Sequence, residues 1–192
     1  IYNTMLSAIA ALEMGISTGD VIRGIAGVSG ISGRMERIVR SADVGFDVYI
    51  DYAHTPDALR AALEGLRQAV PRSGRLTVVF GCGGDRDKGK RPVMGRLAEE
   101  LSDRVIITSD NARTENKDAI IQDILGGMRT QPDAVIPDRR EAIIYAVETA
   151  MPGDAILLAG KGHENYETGP EGKSPFSERD IVFETVKRLK KG

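Results

Sequence analysis

The sequence predicts an α/β fold: a mostly parallel sheet with helices on both faces. Three observations carry that prediction. Short apolar runs alternate with amphipathic helical stretches along most of the 192 residues. The apolar content is Ala/Ile/Val/Leu-rich, with aromatics at 5% and no Trp, which suits helices on a buried sheet better than an all-β sandwich. Polar, glycine-bearing clusters follow directly after the apolar runs, at the strand ends where an open parallel sheet binds its ligands.

Residues Asn3 to Met14 carry apolar side chains at helical spacing, and Gly15 is a stop signal. The stretch from Ile1 to Gly15 is apolar enough to raise a signal peptide, but it has no basic leader and carries Glu13. It reads as a core helix of a chain entered in mid-protein. Thr18 or Asp20 is expected to cap a second helix reaching about Ala26, and Gly27–Gly33 is a glycine-rich hinge and candidate domain boundary.

Strand and helix then alternate. Val48–Asp51 is an apolar strand and Pro56–Val70 an amphipathic helix with proline in its first turn. Leu76–Phe80 is the next strand, followed by a helix over Pro92–Leu101. Val105–Thr108 is a strand and Lys117–Met128 a helix. Ala134–Ile136 is a short strand, after which Asp138 caps a helix to Ala150. Ala155–Ala159 is a strand, and Ser177–Leu189 closes the chain with a basic helical end that suits the helix dipole. Units of this length imply right-handed crossovers.

Charge and composition exclude several function classes. A net charge of −2 argues against nucleic-acid and membrane-surface partners. The single Cys82 rules out an internal disulfide framework and a multi-cysteine zinc site, and fits a reducing compartment. No apolar run reaches the roughly 20 residues that span a bilayer.

Four clusters follow predicted strands: Asp51–His54, Gly81–Arg86, Asp110–Arg113 and Gly160–Glu164. Together they predict one ligand site on one sheet edge. The run Gly84-Asp-Arg-Asp-Lys-Gly89-Lys90-Arg91 nearly spells a phosphate-binding loop, but Arg91 stands where a Ser or Thr should ligate Mg²⁺. The dinucleotide fingerprint also fails, because Arg86 occupies the third glycine position. Arg86 and Arg113 suit bidentate carboxylate recognition, while Asp110 and Glu164 can accept from an ammonium. Two arginines and two carboxylates on one rim complement an amino acid. For any one of them the plainer reading is a surface salt bridge. Asp51 can accept ribose hydroxyls or sit near a metal, and His54 can contact a nucleotide; the plainer reading ends a strand at Asp51 and caps the Pro56 helix with His54. His163 lacks partners for a catalytic set, and Cys82 reads as a packing residue.

The runs Gly33-Arg34-Met35-Glu36, Asp51-Tyr-Ala-His-Thr-Pro-Asp57-Ala-Leu59, Gly81 to Pro92, Ser109-Asp-Asn-Ala-Arg113-Thr-Glu115 and Ala159-Gly-Lys-Gly-His-Glu164, in this order, resemble the Mur ligases. The resemblance extends from Asn3 to the Phe176–Arg179 segment. It is strongest to the ligases that add the third residue of the peptidoglycan stem peptide. That family has a UDP-sugar domain, a central ATPase domain with the phosphate loop, and a Rossmann-like C-terminal domain that admits the amino acid. The resemblance implies that residues 1–40 are the end of the central ATPase domain and 41–192 the amino-acid-binding domain. It places Asn3, Arg34 and Asp51 on positions serving the nucleotide, with His54 close by. It places Arg86, Asp110, Asn111, Arg113, Gly160 and Glu164 on positions that hold meso-2,6-diaminopimelate.

By the same resemblance, ATP phosphorylates the C-terminal carboxylate of UDP-N-acetylmuramoyl-L-alanyl-D-glutamate, and the amine of diaminopimelate attacks the acyl phosphate in the bacterial cytoplasm. ATP, Mg²⁺ and the sugar nucleotide all need parts of the family's architecture outside these residues. No catalytic residue or metal ligand is therefore assigned within the 192, and alone they are expected not to ligate. The departure is Ala112, where the family motif Asp-Asn-Pro-Arg has proline. Arg113 favours diaminopimelate over lysine, which lacks the distal carboxylate. The alternatives are a lysine-adding ligase and a non-catalytic amino-acid-binding module.

Overall fold

A computed structural model describes residues 2–28 and 30–191. They form two compact units, Ile1–Ile31 and Ser32–Gly192. In the first, helices α1 (Tyr2–Glu13) and α2 (Thr18–Ala26) pack together. The cap of α2 is neither expected residue. It is Ser17, whose hydroxyl accepts the Asp20 N–H at 3.1 Å, so that Thr18 is already helical. Ser29, inside the expected hinge, lies outside the described residues.

The second unit begins earlier than the boundary expected at residue 40. Strand β1 (Glu36–Val39), which the sequence reading left before that boundary, pairs antiparallel with β2 (Asp47–Asp51) after the short helix α3 (Ser41–Val44). Then follow α4 (Pro56–Arg67), β3 (Leu76–Phe80), α5 (Lys90–Leu101), β4 (Arg104–Ile107), α6 (Lys117–Leu125), β5 (Ala134–Val135), α7 (Arg139–Glu148) and β6 (Ala155–Ala159). A hairpin, β7 (Tyr166–Gly169) and β8 (Gly172–Pro175), precedes the closing helix α8 (Glu178–Leu189).

The six-stranded sheet runs β1-β2-β6-β3-β4-β5, parallel except for β1 at its edge. Residues of β3 and β6 are buried throughout, so alternate side chains enter two different cores. Leu76, Val78 and Phe80 join Leu157 in a core packed against α4, α5 and α6. Val79, Ile156 and Leu158 face the opposite core, with Ile143 and Val147 of α7 and Ile181 and Val182 of α8. Helix α4 shows how sequence makes this packing. Leu59, Ala62, Leu63 and Leu66 recur at helical spacing and are all buried, each buried leucine contributing about 1.5–3 kcal/mol. Thr55 caps α4 by accepting the Ala58 N–H at 3.3 Å, so the capping role considered for His54 belongs to its neighbour. Among the described residues no helix is long and apolar enough to cross a membrane.

Candidate functional site

Beyond the carboxyl ends of β2, β3, β4 and β6 lies an open cavity of about 580 Å³. Each of these four strands delivers one loop to its wall. After β2 come Tyr52 and His54; after β3, Gly83, Arg86 and Asp87, with Lys90 at the start of α5. After β4 come Asp110, Asn111 and Arg113; after β6, Gly160 and Glu164. The four clusters thus meet, as the order of parallel strands requires. Seven of the ten residues singled out from sequence line this cavity, His54 among them although it was grouped with the nucleotide side. Arg34 and Asp51 lie just outside it, and Asn3 is on α1 of the first unit.

The loops after β3 and β4 hold each other. Gly84 N–H donates to Asn111 O at 2.9 Å, and Arg113 Nη1 donates to Gly84 O at 2.7 Å and Asn111 O at 3.2 Å. A Cβ on Gly84 would stand 1.9 Å from Ala112 O, so only glycine permits this approach. Asp85 takes the Thr114 hydroxyl at 2.8 Å, and its N–H donates to Glu115 at 2.6 Å. Glu115 also pairs with the fully buried Arg91 through Nη2 at 2.9 Å and Nη1 at 3.0 Å. That guanidinium, then the Asp85 amide, hold the Glu115 carboxyl down to about 2. Arg91, the residue that spoils the phosphate-loop pattern, is therefore the rivet between the two loops.

Arg113 has a left-handed backbone, φ 54°, and its N–H donates to Thr168 O in β7 at 3.0 Å. Among the described residues its Nε and Nη2 have no protein acceptor, leaving one edge of the guanidinium for a ligand. In the same cavity, Glu164 accepts from Asn111 Nδ2 at 2.8 Å, and Asp110 accepts the Asn111 N–H at 2.6 Å. Gly160 adopts φ 120°, and a Cβ there would lie 2.8 Å from Asp110 Oδ2. The cavity thus combines a cationic wall of Arg86, Lys90 and Arg113 with the carboxylates Asp87, Asp110 and Glu164.

Sequence reasoning gave no role to three basic residues, one lining this cavity and two beneath it. Lys90 Nζ donates to His54 O at 2.7 Å and lines the cavity. Fully buried Lys161 reaches under the loop to Asn111 and Asp110. Burial lowers its pKa, and Asp110 opposes that. Fully buried Arg139 donates to Ser109 O, Ala159 O and Glu178, tying the ends of β4 and β6. Its signal was present: a basic residue in the first turn of a helix opposes the dipole, so a role elsewhere was worth seeking.

Asp51 is buried; burial pushes its carboxyl above the ordinary value, against the Met35 and Ala53 amides and Arg34. Its Oδ2 accepts the Met35 N–H at 2.6 Å. Arg34 lies over the Tyr52 ring at 5.0 Å, and Tyr52 packs edge-on to His54.

A protein-family model described as the Mur ligase, glutamate ligase domain matches residues 33–162, which run through the first three loops and into the fourth. The chain belongs to the Mur ligase family. Among relatives of this Mur ligase chain, a Clostridium acetobutylicum protein named UDP-N-acetylmuramoyl-L-alanyl-D-glutamate–2,6-diaminopimelate ligase 1 is 46% identical over 98% of it. The Chlorobaculum tepidum ligase of the same substrates is 46% identical over 99%. The Mur ligase chain spans only 39% and 37% of those two proteins. A solved structure titled as the same 2,6-diaminopimelate ligase superposes with TM-score 0.77 at 38% identity, covering 95% of this chain and 37% of that one. A murein peptide ligase from Psychrobacter arcticus shares the fold at 19% identity, TM-score 0.61.

In this Mur ligase chain the motif proline is Ala112. Ala112 O accepts the Glu115 N–H at 3.0 Å, closing the turn, and among the described residues the Ala112 N–H has no protein acceptor. Its φ is not positive. Ala112→Pro is therefore expected to raise stability by about 0.4–1 kcal/mol through the unfolded state. Thermal unfolding checks this; a lower melting temperature would show that the ring does not fit.

Proposed function

We propose that this chain is the amino-acid-binding part of an ATP-dependent ligase that adds meso-2,6-diaminopimelate to UDP-N-acetylmuramoyl-L-alanyl-D-glutamate. The observation that carries the reading is one cavity lined both by Arg113, with a free guanidinium edge, and by the carboxylates of Asp110 and Glu164. A doubly zwitterionic amino acid suits that wall. One end places its carboxylate on Arg113, with Arg86 nearby, and its ammonium between Asp110 and Glu164. The other end stays at the mouth with its amine free to attack an activated carboxylate. The names of the relatives favour the same substrate pair. Residues 1–31 then belong to the neighbouring ATPase domain, and the reaction runs in the bacterial cytoplasm.

The residues of this chain contribute binding and orientation, with catalysis resting on placement of the amine rather than on a protein nucleophile. On the nucleotide side, Asp51 offers an under-solvated carboxylate acceptor and Arg34 a cation, a donor set that fits a ribose and its phosphates. Asn3 joins that set by resemblance. ATP supplies the activation of the acceptor carboxylate. Mg²⁺, like the phosphate loop, falls by the family resemblance to parts of the architecture outside these residues.

The test uses the full-length polypeptide that carries this chain, the sugar-nucleotide substrate and ATP. ADP release should depend on diaminopimelate, with kcat/KM for lysine lower by about a hundredfold or more, because lysine leaves the Arg113 charge unpaired. Equal use of lysine would favour the lysine-adding alternative. Binding without turnover would favour a non-catalytic module.

A further inference from the structure

Lys161 stands one residue beyond Gly160 and contributes no surface to the cavity, yet its amine is central to how the cavity is built. The side chain is fully buried. Its Nζ lies 3.0 Å from Asn111 Oδ1, 3.1 Å from Tyr166 O and 3.5 Å from Asp110 Oδ1. Three acceptors match the three N–H bonds of an ammonium. A neutral amine would offer two donors and set its lone pair against the third oxygen. The site is therefore shaped for the charged form, despite the cost of burying it.

A carboxamide can turn end for end, exchanging oxygen and nitrogen. At Asn111 that turn is blocked. Oδ1 receives both Lys161 Nζ and the Thr168 N–H, the latter at 2.8 Å, and a reversed amide would aim its own N–H groups at two donors. With Oδ1 so held, Nδ2 faces Glu164 Oε2 at 2.8 Å. The hairpin β7–β8 shares in this arrangement, since Tyr166 O and Thr168 N–H are both in β7.

We propose that Lys161 is a positioning residue: by holding Asn111 in one orientation and balancing Asp110, it sets the Glu164 carboxylate that receives the ammonium of the amino acid. This rests on the cavity being the amino-acid site proposed above. Lys161 touches no ligand itself, so its effect passes through Asn111 and Asp110.

The experiment compares wild type and Lys161→Met in the full-length polypeptide, following ADP release against diaminopimelate and ATP separately. The methionine keeps most of the buried stem and removes all three donors. The expected result is a KM for diaminopimelate raised about tenfold to a hundredfold, the scale of losing hydrogen bonds to charged partners. The KM for ATP should stay near wild type. In an Asn111→Ala background the same substitution should add less than about threefold, because interactions acting through one group are not additive. An unchanged KM for diaminopimelate, or full additivity, overturns the proposal.

A second measurement does not depend on the variant folding. In wild type labelled with ¹⁵N at lysine Nζ, one slowly exchanging ammonium resonance is expected, and it should move when diaminopimelate is added. If all the lysine amines exchange quickly, the proposal fails. If wild type shows a protected ammonium but no response to diaminopimelate in either assay, the ligand assignment is what fails, and with it the role given to Lys161 in recognising that ligand.

Discussion

Replacing Arg113 by alanine is expected to cut kcat/KM for diaminopimelate by roughly 10²–10³-fold while leaving the weak use of lysine nearly unchanged. The guanidinium spends Nη1 on Gly84 O and Asn111 O and keeps its other edge toward the cavity. Losing it strips the proposed distal carboxylate of its partner in a partly desolvated site, an effect of about 2–5 kcal/mol. Lysine has no carboxylate there to lose. Alanine at φ 54° carries a backbone cost similar to that of arginine, so strain does not confound the comparison. Arg113→Lys keeps the charge but loses the planar fork, and should fall between the two. Steady-state kinetics of ADP release decide the matter. A diaminopimelate kcat/KM within about threefold of wild type would remove Arg113 from substrate recognition.

Arg139→Leu is expected to be the most destabilising single change in the sheet unit, by about 3–5 kcal/mol, because it leaves Glu178 buried without its countercharge. Arg139 and Glu178 are 1% and 2% exposed and pair at 2.8 Å. The same substitution also orphans Ser109 O and Ala159 O, the carbonyls that Arg139 bridges from β4 to β6. At about 2–4 °C per kcal/mol for a unit of this size, the melting temperature should fall by roughly 6–20 °C. The double variant Arg139→Leu/Glu178→Leu should recover much of the loss, since a fully apolar replacement leaves no buried charge. Scanning calorimetry reads both. If the single variant unfolded within about 2 °C of wild type, the pair would be incidental to stability.

Much of the fold was legible because the core strands are mostly apolar runs flanked by glycines. Leu76–Phe80 and Ala155–Ala159 agree residue for residue with β3 and β6. Strand β1 was not legible: Glu36-Arg37-Ile38-Val39 is a short, half-charged edge strand without alternation. The hairpin was hidden by Gly169-Pro-Glu-Gly172 and by the full exposure of β8, which give it the composition of a loop. Helix ends drifted for a related reason. The sequence pattern carried α4 to Val70; beyond Arg67 the chain tightens, with both Ala69 N–H and Val70 N–H donating to Leu66 O at 2.9 and 3.1 Å.

At the site, glycine-bearing charged clusters after strands announced which loops meet, but not which side chains pass beneath them. Lys161 sits between Gly160 and Gly162, where no periodicity tells whether a lysine points to water or under the loop. Arg91 read as a failed phosphate-loop residue because the pattern contained no hint of Glu115, which lies 24 positions away in sequence. Such pairings depend on the β3-to-β4 crossover, and only the folded sheet brings them together.

The strand order has a consequence for synthesis of the chain. β6 lies between β2 and β3 and pairs with both, yet it emerges from the ribosome after β2, β3, β4 and β5. Until Ala155–Ala159 has been made, the nascent chain has two sheet fragments with open inner edges, and neither can close on the other. The cationic wall can form early, since β3, α5 and β4 are consecutive. Glu164, Lys161 and the hairpin arrive with and just after the strand that joins the halves. Translation thus completes the sheet and the acidic half of the cavity almost together, and a chain stopped short would expose paired-strand edges suited to aggregation.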